Sequence, residues 1–123
     1  MRYVDWEEKL NDYLAEQNGK AFEWGDFDCV RFSMGAVKAM TGVDHTEGLQ
    51  WSNEAEAKAL LDEQSLEDRL AEKFERVPPM FARRGDVAMF EGACGIVAGR
   101  LAYFVGDPWR AVPLDKLEAA FRV

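Results

Sequence analysis

Pro78-Pro79 divides the chain into two kinds of sequence, and that division constrains the fold more than any other feature. Proline lacks the N–H a helix needs and pushes the residue before it into extended conformations, so a doubled proline ends any helix preceding it. Before it, apolar residues recur at helical spacing. Trp6, Leu10, Tyr13 and Leu14 share one face, with Asp5 and Glu8 spaced as a capping box and Gly19 as a stop. A second helix is expected from Asp28 to about Met40, burying Phe32, Ala36, Val37 and Met40 and ending at Gly42. A third starts at Ser52, and a fourth has Ser65 and Asp68 in capping positions. After the prolines, "GDVAMFEG", "CGIVAG", "LAYFVG" and "RAVPL" are short apolar runs cut by glycine or Asp-Pro, the pattern of three or four antiparallel strands. "LDKLEAAF" then reads as a short amphipathic helix. The expectation is one α+β domain over 1–123, helical to about 76, sheet over about 84–114, and helical again to the end.

Charge and residue counts remove several functions. With 15 basic against 23 acidic residues the net charge is −8, and the basic residues are scattered apart from Arg83-Arg84. Phosphate backbones need a basic face, so nucleic acid is not an expected partner. No run approaches the roughly 18 apolar residues of a membrane span. The charged start "MRYVDWEEKLNDYL" is unlike a secretory signal, which points to synthesis in a cytoplasm. Two cysteines without a CxxC and one histidine, His45, make no zinc set, and no P-loop, GxGxxG or HExxH is present. No metal or cofactor is expected.

The residue with chemistry to offer is Cys29, in "WGDFDCVRF". A cysteine in the first turn of a helix meets unpaired backbone amides and the positive end of the helix dipole, which favours thiolate. Burial as a small apolar residue is the competing reading. Asp28 is read as the helix cap. His45 is an improbable base: residues 28 to 40 carry a helix roughly 18 Å from Cys29, and the five residues that follow reach at most about 17 Å. It is expected in a solvated loop. Asp86 reads as a turn residue. Of the four tryptophans, Trp109 in "GDPWR" is the best candidate for an exposed contact, Trp24 and Tyr103 are further candidates, and the rest are expected in the core.

"W-G-x-x-D-C" at Trp24 to Cys29, "R-G-D-V-A-M-F" at 84–90 and "G-I-V-A-G" at 95–99 together resemble the NlpC-like cysteine peptidases, papain-like cell-wall hydrolases and amidases. The chain is also similar to a family of small proteins of phage tail modules and prophages that share "WG-x-x-DC", a "VPP-x-x-A-R-R-G-D-V" segment and an "R-V" ending, here Val77 to Val87 and Arg122-Val123. The resemblance implies helices followed by a small curled antiparallel sheet. It makes Cys29 the nucleophile position and Ala93 the position where the hydrolases carry histidine, and it leaves Tyr103 as the only polar residue on the strand of the third group. Ala93 is then expected to face Cys29, with Cys94 on the opposite face. The implied function is a catalytically degenerate tail-tip or baseplate component of the virion, held by contacts with other tail proteins. An active peptidase or amidase on peptidoglycan peptides and a tail-assembly chaperone remain as alternatives.

Overall fold

Local capping signals account for most helix boundaries in the computed structural model, which describes residues 1–123. The helices are α1 (Trp6–Gln17), α2 (Cys29–Thr41), α3 (Glu54–Glu63) and α4 (Leu66–Lys73). α2 begins where Asp28 accepts the Arg31 N–H at 2.9 Å and ends at Gly42, which is left-handed. Its buried side is Phe32, Ala36, Val37 and Met40, joined by Ser33 and Met34. Ser65 caps α4 through the Asp68 N–H. Two starts differ from expectation. The Asp5 side chain makes no capping bond; Trp6 N–H goes to the Tyr3 carbonyl instead, and Asp5 reaches towards Lys9. α3 is capped by Asn53, one residue later than Ser52, because Ser52 is engaged by the Glu56 carboxylate.

The strands are β1 (Glu75–Val77), β2 (Val87–Phe90), β3 (Ala93–Val97), β4 (Leu101–Phe104), β5 (Arg110–Pro113) and β6 (Ala119–Arg122). They form one antiparallel sheet in the order β1-β6-β2-β3-β4-β5. This α+β arrangement has its helices N-terminal and its sheet C-terminal. Glu91 and Gly92 join β2 to β3 with φ of 50° and 76°, the two positive values of a tight hairpin turn. The sheet is larger than the three or four strands expected. The helical part stops at Lys73, and residues 75–77 are a strand because β6 pairs with them. The expected C-terminal helix is replaced by a single turn at Leu114–Lys116 and then β6. Ala119, Ala120 and Phe121 are all buried there, since β6 lies inside the sheet between β1 and β2.

One sheet face packs against α1, α2 and α4 through Val87, Met89, Cys94, Ile96 and Phe121. Fully buried Phe32 and Phe121 each contribute about 1.5–3 kcal/mol by leaving water. The opposite face gathers Ala88, Val97, Ala102, Phe104 and Val112 with Leu117. Both chain ends meet at Asp86, which is fully buried. It binds the guanidinium groups of Arg2 at 2.9 Å and Arg122 at 3.1 Å, and it accepts the N–H groups of Arg83 and Val123. The "ARRGDV" and terminal "RV" segments are thus two halves of one contact.

Candidate functional site

The turn ahead of α2 is built by the "WGDFD" residues themselves. Glu23 and Phe27 exchange backbone hydrogen bonds, which folds the segment back on itself. Gly25 sits at φ 84°, and a Cβ there would lie 2.7 Å from both the Ser52 Cα and the Trp51 carbonyl oxygen. Asp28 Oδ2 accepts the Gly25 N–H at 3.0 Å and the Trp51 Nε1–H at 2.5 Å, while Oδ1 caps α2. Arg31 completes the clamp. It donates to the Gly25 carbonyl and Thr46 Oγ1, and its guanidinium lies 3.9 Å from the Trp51 ring centre. Asp28 therefore does more than cap a helix: it holds the 43–52 loop against the first turn of α2.

That turn carries Cys29, half-buried, against β3. The residue it meets there is Cys94, fully buried, and both are free thiols. The Cys94 thiol is in reach of the Cys29 carbonyl at 3.4 Å and of the Cys29 sulfur, and its one proton can serve either. Donation from the Cys94 side chain, helped by backbone N–H groups of Cys94 and Val30, pulls the Cys29 thiol below its ordinary value. Burial and the Asp28 charge oppose this. The hydrogen bond to Cys29 and burial push Cys94 well above the thiol range. Ser33, one turn after Cys29, has a fully buried Oγ with no hydrogen-bond partner, close to the Cys94 sulfur.

Cys29 and Cys94 border a cavity of about 260 Å³ between α2, the α3–α4 pair and the β2–β3 hairpin. Met34, Leu60, Leu70 and Val105 make it largely apolar, and exposed Trp24 stands at its edge. His45 and Lys73 also border it.

Over residues 1–123 the sequence matches the DUF6950 family, a domain of unknown function. The chain belongs to this family. No curated protein and no solved structure matches it.

In this DUF6950 chain the expected site residues are distributed differently from the reading by resemblance. Ala93 points away from Cys29: it is paired with Phe90, and both pack with the cluster on the far side of the sheet. Cys94 is paired with Met89, and both face α2. The expected orientation is reversed by a single residue. Tyr103 is opposite Ile96, which puts Val105 beside Cys94 and leaves Tyr103 at a separate pocket with Leu14 and Trp109. Trp109 is not an exposed contact. It packs on Phe27 and Phe32, with ring centres 6.0 and 5.1 Å away, and its Nε1–H donates to the Lys20 carbonyl. His45 is half-buried against Phe74 rather than solvated, with ring centres 4.9 Å apart, and burial lowers its pKa. It is not among the groups acting on the Cys29 thiol. Cys94 and Ser33 are the partners of Cys29 that sequence reasoning misses. The i, i+4 spacing of Cys29 and Ser33 was the one available signal, since it places both on one helical face.

No group of three or more His, Cys, Asp or Glu residues is arranged to hold a metal ion. No helix is long and apolar enough to cross a membrane.

Proposed function

We propose that the protein is a catalytically silent relative of the NlpC-like cysteine hydrolases that works through protein contacts in a phage or prophage tail. The observation that carries this reading is what faces Cys29: a buried thiol, Cys94, where hydrolysis needs a base. Peptide cleavage requires a group to take the nucleophile's proton and return it to the leaving amine. Cys94 holds its proton too tightly to cycle it near neutral pH. His45 packs its ring on Phe74 and is not among the groups acting on the Cys29 thiol, and Asp86 is saturated by Arg2, Arg122 and two backbone N–H groups. A nucleophile in place without its base is what loss of hydrolysis in an otherwise retained scaffold leaves behind. The tail assignment rests on the "WG-x-x-DC", "VPP-x-x-A-R-R-G-D-V" and "R-V" segments. A contact role is supported by the turn after Pro78, where Met80 and Phe81 are 64% and 68% exposed.

Mass spectrometry of purified particles tests the reading, with the protein expected among the virion components. Presence in lysates alone would favour an assembly chaperone. The lowered Cys29 thiol beside a cavity favours one second reading, a hydrolase of peptidoglycan peptides. Cleavage by the unmodified protein that disappears in Cys29→Ala would put that reading in place of the first.

A further inference from the structure

Without hydrolysis, Cys29 and Cys94 stand side by side with no assigned task. Their placement is asymmetric: Cys29 is half-buried at the cavity wall, and Cys94 is fully buried beside it with its sulfur in hydrogen-bond reach. A disulfide needs Cβ atoms within roughly 3.5–4.5 Å, and the Cys94 sulfur already lies 3.4 Å from the carbonyl oxygen of the residue it would bond. From this geometry we infer that Cys29 and Cys94 form a thiol–disulfide exchange centre that takes low-molecular-weight disulfides, with Cys29 attacking and Cys94 resolving.

The chemistry balances without any further reactant. The Cys29 thiolate attacks one sulfur of R–S–S–R; that bond breaks, a mixed disulfide forms, and the departing thiolate takes up the proton Cys29 gave up. Cys94 then attacks the Cys29 sulfur. The mixed disulfide breaks, the Cys29–Cys94 bond forms, and the second R–S⁻ leaves with the Cys94 proton. The protein dithiol is oxidised by two electrons and R–S–S–R is reduced to two R–SH. The reverse sequence reduces the protein.

Three features fit these roles. Of the two thiols bordering the cavity, Cys29 is the more exposed and the one whose pKa is lowered, so the thiolate is formed where an incoming disulfide can reach it. Cys94 is shielded by burial and keeps its proton until an electrophilic sulfur is next to it. The orphaned Ser33 hydroxyl lies where it can donate to the Cys94 thiolate that forms during resolution. A buried hydroxyl with no resting partner is costly to keep, and the Cys94 thiolate would be its acceptor for the lifetime of that step.

The test is reaction of the folded protein with oxidised glutathione, quenched in acid and read by intact mass. The unmodified protein is expected to lose two hydrogens and to accumulate no stable adduct. Cys94→Ser keeps the side-chain size and should stop at one glutathione on Cys29. Cys29→Ser should react at least a hundredfold more slowly. Ser33→Ala should let the mixed disulfide accumulate before it resolves. The proposal is overturned if the unmodified protein retains glutathione without closing the internal bond, if closure occurs only in denaturant, or if Cys29→Ser reacts as fast as the parent.

Discussion

The Asp86 knot and the Cys29 pocket lie near opposite ends of the same β2–β3 hairpin, and their bonding differs completely. Asp86 precedes β2 and spends both carboxylate oxygens on two guanidinium groups and two backbone N–H groups. Nothing in it is left to react. At the hairpin's turn end, the Cys94 thiol donates to the Cys29 carbonyl, Ser33 Oγ has no partner, and a cavity of about 260 Å³ adjoins both cysteines. Both regions bury polar atoms, so burial alone does not separate structure from chemistry. What separates them is saturation: a satisfied buried charge ties chain segments together, whereas unspent bonding capacity beside a cavity is where a ligand or reagent can gain energy.

That contrast is sharpest at Asp86 itself. Asp86→Ala leaves two guanidinium groups facing a buried gap and should cost about 3–5 kcal/mol of stability, read from denaturant unfolding. A loss below about 1 kcal/mol would show that the chain ends are held by packing instead. Asp28 stands between the two regions, since it is saturated like Asp86 but supports the pocket. Asp28→Ala removes a helix cap and the acceptor of the Trp51 and Gly25 N–H groups, so about 2–3 kcal/mol is expected. It should also raise proteolysis in the 43–52 loop.

Smaller effects probe the thiols. Cys94→His sets an imidazole against Cys29, whereas Ala93→His points to the other face of β3. Only the first should speed alkylation of Cys29 near pH 7, by about tenfold, equivalent to about 1.4 kcal/mol; the larger ring should itself cost about 1–3 kcal/mol of stability. Acceleration by Ala93→His instead would restore the orientation that the sequence suggests. In the unmodified protein, alkylation of Cys29 should rise with pH along a curve displaced below that of an ordinary thiol, because a lowered pKa leaves more thiolate at any given pH. Cys94→Ala removes the largest of the interactions lowering it and should move the curve back up. Ser33→Ala is the mildest change. Removing a buried hydroxyl without a partner should leave stability within about 0.5 kcal/mol, or raise it slightly.

The first turn of α2, the cap of α4 and the β2–β3 hairpin were all legible in the sequence, because each rests on neighbours within a few residues. Asp28 and Arg31, Ser65 and Asp68, and the Glu91-Gly92 turn are contacts of that kind. His45 was legible as the chain's one histidine, but its place on the border of the same cavity as Cys29 was not, since Arg31 and Asp28 draw the 43–52 loop back over the first turn of α2. β1 and β6 were not legible. Each is a short segment whose partner is far along the chain, Arg76 opposite Phe121 for example, and no local period records such a pairing. Trp109 likewise depended on where α2 placed Phe32.

What the amino-acid order determined by itself, then, was the helical half, the position of Cys29 at a helix start and the strand-and-turn character of the remainder. Which residue of β3 meets Cys29 was decided only in three dimensions. An exposed strand alternates apolar and polar residues, and the alternation reveals its inward face. In β3, Cys94 through Val97 are buried on both sides of the sheet, so the alternation is gone. A shift of one residue exchanges the two faces of a strand, and here the exchange sets a thiol against Cys29 in place of Ala93. The choice belongs to the packing of α2 on the sheet, through contacts between residues as distant as Cys29 and Cys94.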